Sequence, residues 1–189
     1  MKNLSKAFFI TDSQSFDPLP IISTLPANIG IIIRDYEHPH RAQYAKTIRA
    51  LTKNTVLVAK DVALAEKIKA DGVHLPQFMV NELADVKAAH PEWVVTAAAH
   101  DMESTVQAER SGAHIVFLSP IFLTSSHPEQ QPLKTAEILE ITKKYTNVYA
   151  LGGINSYNLA MLAELGFAGF SAISAFNNCG FVATLKAQT

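Results

Sequence analysis

Eight short apolar runs, each closed by polar or charged residues, recur along this chain and leave few folds open to it. They are Ala7 to Asp12, Ile29 to Asp35, Thr55 to Ala59, Gly72 to Leu75, Trp93 to Ala99, His114 to Leu118, Val148 to Leu151 and Gly169 to Ser174. Each is strand-length and apolar on consecutive residues, the pattern of strands buried on both faces. The stretches between them read as helices. His40 to Leu51 carries apolar residues at Ala42, Ala45, Ile48 and Leu51, and Val62 to Ala70 forms the next helix. Asn81 is placed to cap a helix running to about His90. Met102 to Ser111 ends at Gly112, Lys134 to Tyr145 is helical, another helix opens near Ser156, and a short one starts at about Asn177. Only the first connection, Ser13 to Pro26 with its prolines, reads as irregular or short.

Strands that alternate with helices throughout predict a parallel sheet, and eight of them predict a (β/α)8 TIM barrel of the α/β class, one domain over residues 1–189. The rival, an open doubly wound sheet, would want fewer strands and a glycine-rich first turn. Hydrophobic residues at 48% against charged residues at 17% suit a sheet covered on both sides. A length of 189 residues lies below the roughly 200 or more usual for such barrels, so short loops and trimmed helices are expected. Lys and Arg (16) nearly balance Asp and Glu (17), which announces no surface for nucleic acid. Cys179, the only cysteine, excludes an internal disulfide. No stretch reaches the ~20 apolar residues of a membrane span, and the first apolar run is too short for a secretion signal. A cytoplasmic chain with no membrane partner is expected. Trimmed helices leave apolar surface that a homo-oligomer would cover.

Chemistry in such barrels collects at the C-terminal ends of the strands. Those ends carry Asp12, Arg34 with Asp35, Lys60 with Asp61, Gln77, His100 with Asp101, Ser119, Gly152 with Gly153, and Ser171 with Ser174. Paired glycines after a strand bring no Cβ atoms, so backbone N–H groups can close around an anion, and a helix opening at Ser156 would aim its positive end there. The second strand end, Ile173-Ser174, can hold the same phosphate, as the last two units of a barrel do. His100 follows three alanines and titrates near neutral pH, which suits it to take and give a proton. A hydrogen-bonded structural histidine remains the alternative for it, and is the stronger reading for His74 inside its strand. Arg34 can clamp a carboxylate or phosphate, or pair with Asp35 or Asp61; Lys60 is equally two-sided. His38, His40, His90 and His127 read as loop or helix-end residues, and no Cys/His spacing suggests zinc.

Four segments together resemble the thiamine phosphate synthase/TenI family: Ala70-Asp71-Gly72-Val73-His74-Leu75-Pro76-Gln77, His100 to Glu109, Ser119-Pro120-Ile121-Phe122-Leu123-Thr124, and Leu151-Gly152-Gly153-Ile154-Asn155. The likeness spans nearly the whole chain in order, and implies the same barrel. The family has two branches. The synthase joins a pyrimidine diphosphate to a thiazole phosphate with Mg2+ on the diphosphate. The TenI branch is a thiazole tautomerase that moves a proton so that a thiazole phosphate carboxylate becomes aromatic.

Departures from the synthase pattern separate them. Its Gln-x-Arg-x-Lys on the second strand appears here as Ile32-Ile33-Arg34-Asp35-Tyr36, so only the arginine remains. An ungapped match puts Ala59-Lys60 where the synthase has Asn-Asp, although a one-residue slip restores Asp61. Met79 replaces a further metal-binding aspartate, and Thr124-Ser125-Ser126-His127 lacks the lysine of a phosphate-cradling loop. Lost carboxylates weaken Mg2+ binding, and each lost charge-assisted hydrogen bond removes roughly 1.5–3 kcal/mol. What the resemblance retains is the thiazole phosphate side, Gly152, Gly153, Ile173 and Ser174, together with Gln77, Thr124 and the acid/base residue His100. The expectation is a tautomerase that needs no cofactor and takes a small phosphorylated thiazole, with Arg34 or Lys60 on its carboxylate. The alternatives are a divergent Mg2+-dependent synthase and a binder of a small phosphorylated ligand without turnover.

Overall fold

In the computed structural model, which describes residues 4–124 and 129–187, eight parallel strands close into a barrel in chain order. They are β1 (Ala7–Ile10), β2 (Ile29–Ile33), β3 (Val56–Ala59), β4 (Gly72–Leu75), β5 (Val94–Ala99), β6 (Ile115–Leu118), β7 (Val148–Leu151) and β8 (Gly169–Ala172), and β8 pairs back onto β1. The helices around them are α1 (Leu19–Ile22), α2 (Arg41–Leu51), α3 (Val62–Ile68), α4 (Leu83–Ala89), α5 (Met102–Arg110), α6 (Thr135–Lys144), α7 (Met161–Glu164) and α8 (Cys179–Ala187). The barrel expected from the alternating runs is the fold observed, and α1, a single turn, is the short first crossover.

Runs such as Ile29-Gly30-Ile31-Ile32-Ile33 are buried at every position because one set of side chains fills the barrel and the other meets the helices. Inside, Phe8, Ile32, Leu57, Phe117 and Tyr149 pack together, with the Phe8 and Phe117 rings edge to face at 5.5 Å. Outside, Phe9, Ile31, Val58 and Val73 meet Ile48, Ala65 and Ile138 of the helices. Burying each large side chain contributes about 1.5–3 kcal/mol. His74 belongs to this interior. It is buried, its Nδ1 lies 3.0 Å from Thr96 Oγ1, and its ring meets Phe117 edge-on at 5.4 Å. Desolvation pulls its pKa down to about 4, so it is a neutral core residue.

Several sequence expectations need correction. Asn81 caps nothing: it lies in a 3-10 turn, Gln77–Glu82, its side-chain oxygen accepts from Gln107 Nε2 at 3.0 Å, and α4 begins after Glu82 without a side-chain cap. No helix opens at Ser156. The chain instead makes turns through Ala160, and α7 is one turn long: Asn155 Oδ1 accepts the N–H groups of Tyr157 and Asn158 as a cap would, but Met161 N–H and Leu162 N–H bond three residues back, to Asn158 O and Leu159 O. The last helix starts at Cys179, after a 3-10 turn at Ser174–Asn177. Among the described residues no helix is long and apolar enough to cross a membrane.

Candidate active site

A cavity of about 720 Å3 opens at the C-terminal end of the barrel, on the side of β5 to β8. Of the residues singled out from the sequence, Arg34, His100, Thr124, Gly152, Gly153, Ile173 and Ser174 line it; Lys60 and Gln77 do not. The loop residues Ser125, Ser126 and His127 lie outside the described residues.

The glycine turn is built by the neighbouring loop. Ile121 N–H donates to Leu151 O at 3.0 Å and Phe122 N–H to Gly152 O at 3.1 Å, drawing the chain after β6 against the turn. Gly152 (φ 99) and Gly153 (φ 67) both lie where side chains are strained. A Cβ on Gly153 would also overlap the Leu123 carbonyl and come within 2.8 Å of Phe122 C. Asn158 Nδ2 donates to Gly153 O at 2.9 Å while its Oδ1 accepts from Asn155 N–H at 2.9 Å, fixing the exit. The carbonyls of the turn are thus engaged. The N–H groups of Gly152, Gly153 and Ser174 donate to no other group among the described residues, which is the donor set an anion requires.

His100 is held from two sides. Asp101 forms a capping box with Ser104 at the start of α5, and Ser104 Oγ accepts the His100 N–H at 2.9 Å. Hydrogen bonds from the Ser104 hydroxyl and N–H keep the Asp101 carboxyl below its ordinary range. On the ring, Nδ1 lies 2.9 Å from the Ser119 carbonyl and 3.2 Å from Ser119 Oγ. A carbonyl only accepts, so Nδ1 carries the proton and the neutral ring keeps Nε2 as its basic nitrogen. Sequence reasoning placed Ser119 at a strand end but missed this role, since a backbone oxygen has no residue-type signal.

Arg34 pairs with neither Asp35 nor Asp61. Its guanidinium meets Asp12 at 3.3 Å. Asp35 is buried and accepts from the Thr11 hydroxyl and from Ser13 N–H at 2.6 Å. Asp61 caps α3 through Leu64 N–H at 2.8 Å and pairs with Arg41 at 3.0 Å, a partner the sequence reading did not consider. Lys60 stands outside the cavity with φ 68, its ammonium 5.8 Å from the Tyr36 ring and 5.5 Å from the Phe78 ring. Gln77 opens the 3-10 turn after β4. Mg2+ at phosphate-binding sites is held by one or two carboxylates together with waters and substrate phosphates. The four aspartates of this face are each engaged by an arginine, a hydroxyl or a helix cap, and among the described residues no three acidic, His or Cys side chains are grouped to hold a metal.

Comparison with known proteins agrees with the barrel. A putative thiamine-phosphate synthase 2 of Aquifex aeolicus is 38% identical over 147 residues, covering 76% of this chain and 78% of that protein. A thiamine-phosphate synthase of Bacillus licheniformis is 27% identical over 192 residues, covering 94% and 85%. The structure of thiamine phosphate pyrophosphorylase from Pyrococcus furiosus superposes with a TM-score of 0.78 at 23% identity, covering 95% of this chain and 91% of that one, which supports the fold. The family model described as thiamine monophosphate synthase (TMP-TENI) matches residues 8–176. With most of its length matched and the barrel in common, the chain belongs to the thiamine monophosphate synthase family of thiamine biosynthesis.

Proposed function

We propose that this chain binds a phosphorylated thiazole carboxylate and isomerises it to the aromatic thiazole by proton transfer through His100. One observation carries the reading: His100 presents Nε2 as its basic nitrogen in the cavity that the glycine turn also lines, whereas the aspartates of the same face are committed elsewhere. The phosphate docks on the N–H groups of Gly152, Gly153 and Ser174. Arg34 meets the carboxylate, exchanging part of its contact with Asp12. Nε2 then removes the proton from the ring carbon, the electron pair shifts through the ring, and the imidazolium returns the proton to the exocyclic carbon. Ser119 holds Nδ1–H throughout, so the ring does not turn away between the two transfers. Positioned acid/base catalysis of this kind contributes roughly 10²–10⁴-fold.

The second reading is the synthase, and the names of the curated relatives favour it. The two readings separate on ligands. Calorimetry with thiazole phosphate in a chelator, and with pyrimidine diphosphate plus Mg2+, is the test. Metal-independent binding of the thiazole phosphate, followed by isomerisation that His100→Gln abolishes, is expected. Tight binding of the diphosphate only when Mg2+ is present would put the synthase first.

A further inference from the structure

Two crossed pairs tie the β1 end to the β2 end. Phe8, Ile10 and Ile32 face the barrel interior, with Ile10 beside Ile32 in the register. Side chains alternate along a strand, so two residues further on Asp12 stands beside Arg34 on that same face. Thr11 and Asp35 take the other face, where the Thr11 hydroxyl donates to the Asp35 carboxylate.

Asp12 is anchored. Its carbonyl accepts the N–H groups of Ser15 at 3.1 Å and Phe16 at 3.3 Å, and its Oδ2 accepts the Ser15 hydroxyl at 2.7 Å. The same Oδ2 lies 3.3 Å from Arg34 Nη2. Arg34 is held at its root as well, its backbone N–H donating to Thr11 Oγ1 at 3.1 Å. A guanidinium presents five donors in a rigid fork; the contact with Asp12 occupies one nitrogen and leaves the rest open to a ligand. Among the described residues lining the cavity, Arg34 is the only Lys or Arg, and none is Asp or Glu. The cation of this cavity is therefore half of an ion pair whose acidic half stands just behind the wall.

That arrangement bears on release. The isomerisation proposed above leaves both the carboxylate and the phosphate on its product. Whatever holds the carboxylate of the substrate holds that of the product equally, and binding of this uniform kind does not raise kcat. An arginine without a counter-charge would keep the product longest.

Resting on that reading, we infer that Asp12 is a positioning residue that acts through Arg34. It aims the guanidinium by one nitrogen, competes with the ligand carboxylate for its charge, and retakes it as the product leaves. Asp12 thereby sets how strongly a carboxylate counts in ligand selection.

Asp12→Asn keeps the shape and an acceptor for Arg34 and Ser15 while removing the charge. Calorimetry compares it with the unaltered protein, using the aromatic thiazole phosphate carboxylate and its neutral carboxamide. The variant is expected to bind the carboxylate roughly fivefold or more tightly, and the carboxamide within twofold of before. In turnover its KM should fall while kcat does not rise. In an Arg34→Gln background Asp12→Asn should bring no gain. Unchanged or weaker carboxylate binding, an equal gain for the carboxamide, or a gain that survives Arg34→Gln overturns the inference; a residue serving the fold alone would shift both ligands together. If neither thiazole ligand binds the unaltered protein, the thiazole reading falls. Malonate, followed by the 15N resonances of the Arg34 side chain, then decides: tighter binding in Asp12→Asn upholds the role of Asp12, and equal binding ends it.

Discussion

The two halves of the barrel mouth hold comparable numbers of polar residues and use them in opposite ways. From β2 to β4, Asp35, Arg41 and Asp61 are tied to hydroxyls, helix caps and one another, and Lys60 lies over two aromatic rings. From β5 to β8, the N–H groups of Gly152, Gly153 and Ser174 have no partner among the described residues, and His100 keeps one nitrogen uncommitted among them. A binding site is where folding leaves donors and acceptors unsatisfied, so polarity alone does not locate it. Groups satisfied within the chain should register in stability, and unsatisfied ones in ligand binding or turnover.

The sharpest test of that division is His100→Gln. Glutamine keeps a donor for the Ser119 carbonyl but cannot cycle a proton, so turnover should fall by about 10²–10⁴-fold with the melting temperature and ligand affinity nearly unchanged. Isomerisation assays and thermal melts on one preparation check both. Full turnover in the variant would move the proton-transfer role away from His100.

His74 is the counterpart, a histidine already satisfied. Its folded pKa of about 4 lies below the 6.5 of the unfolded chain, so the unfolded state takes up the proton first. Stability is complete above about pH 6.5 and declines as pH falls toward 4, by at most about 3 kcal/mol for this one group. Urea titrations between pH 7 and 4 should show that slope, and His74→Leu should flatten it. An unchanged slope in the variant would assign the acid sensitivity to other groups.

Gly153→Ala tests the turn itself. The φ of 67° and the overlap with backbone atoms of Leu123 and Phe122 leave no side chain to move aside. A loss of about 1–3 kcal/mol in stability is expected, together with loss of phosphate binding, because relief requires the N–H groups to rotate. A stable variant that still binds phosphate would place the anion elsewhere.

What the sequence made legible follows the same division. Eight apolar runs at barrel spacing reported the fold because both faces of each strand are buried, and Gly152, Gly153, His100 and Ser174 were readable because they differ from their surroundings in residue type. Pairings were not readable. Arg34 lies 22 positions from Asp12, and Arg41 lies 20 from Asp61, so partners that meet through barrel closure cannot be chosen from neighbours in the chain. The helix expected at Ser156 does not form even though Asn155 accepts the N–H groups of Tyr157 and Asn158 as an N-cap would; the turns that follow close through three-residue bonds, Met161 N–H to Asn158 O and Leu162 N–H to Leu159 O.

Lys60 separates the halves at the smallest scale. Its charge and its place at a strand end suggested a ligand contact, yet its ammonium faces Tyr36 and Phe78, and it holds a left-handed backbone, φ 68, that glycine adopts at lower cost. Lys60→Gly relieves that conformation and loses the ring contacts, two effects of opposite sign, so stability should change by less than about 1 kcal/mol. Because the side chain lies outside the cavity, affinity for a phosphorylated ligand should stay within twofold. A tenfold loss of affinity in calorimetry would mean that the ligand reaches across the mouth to the β3 end, and that the two halves form one site.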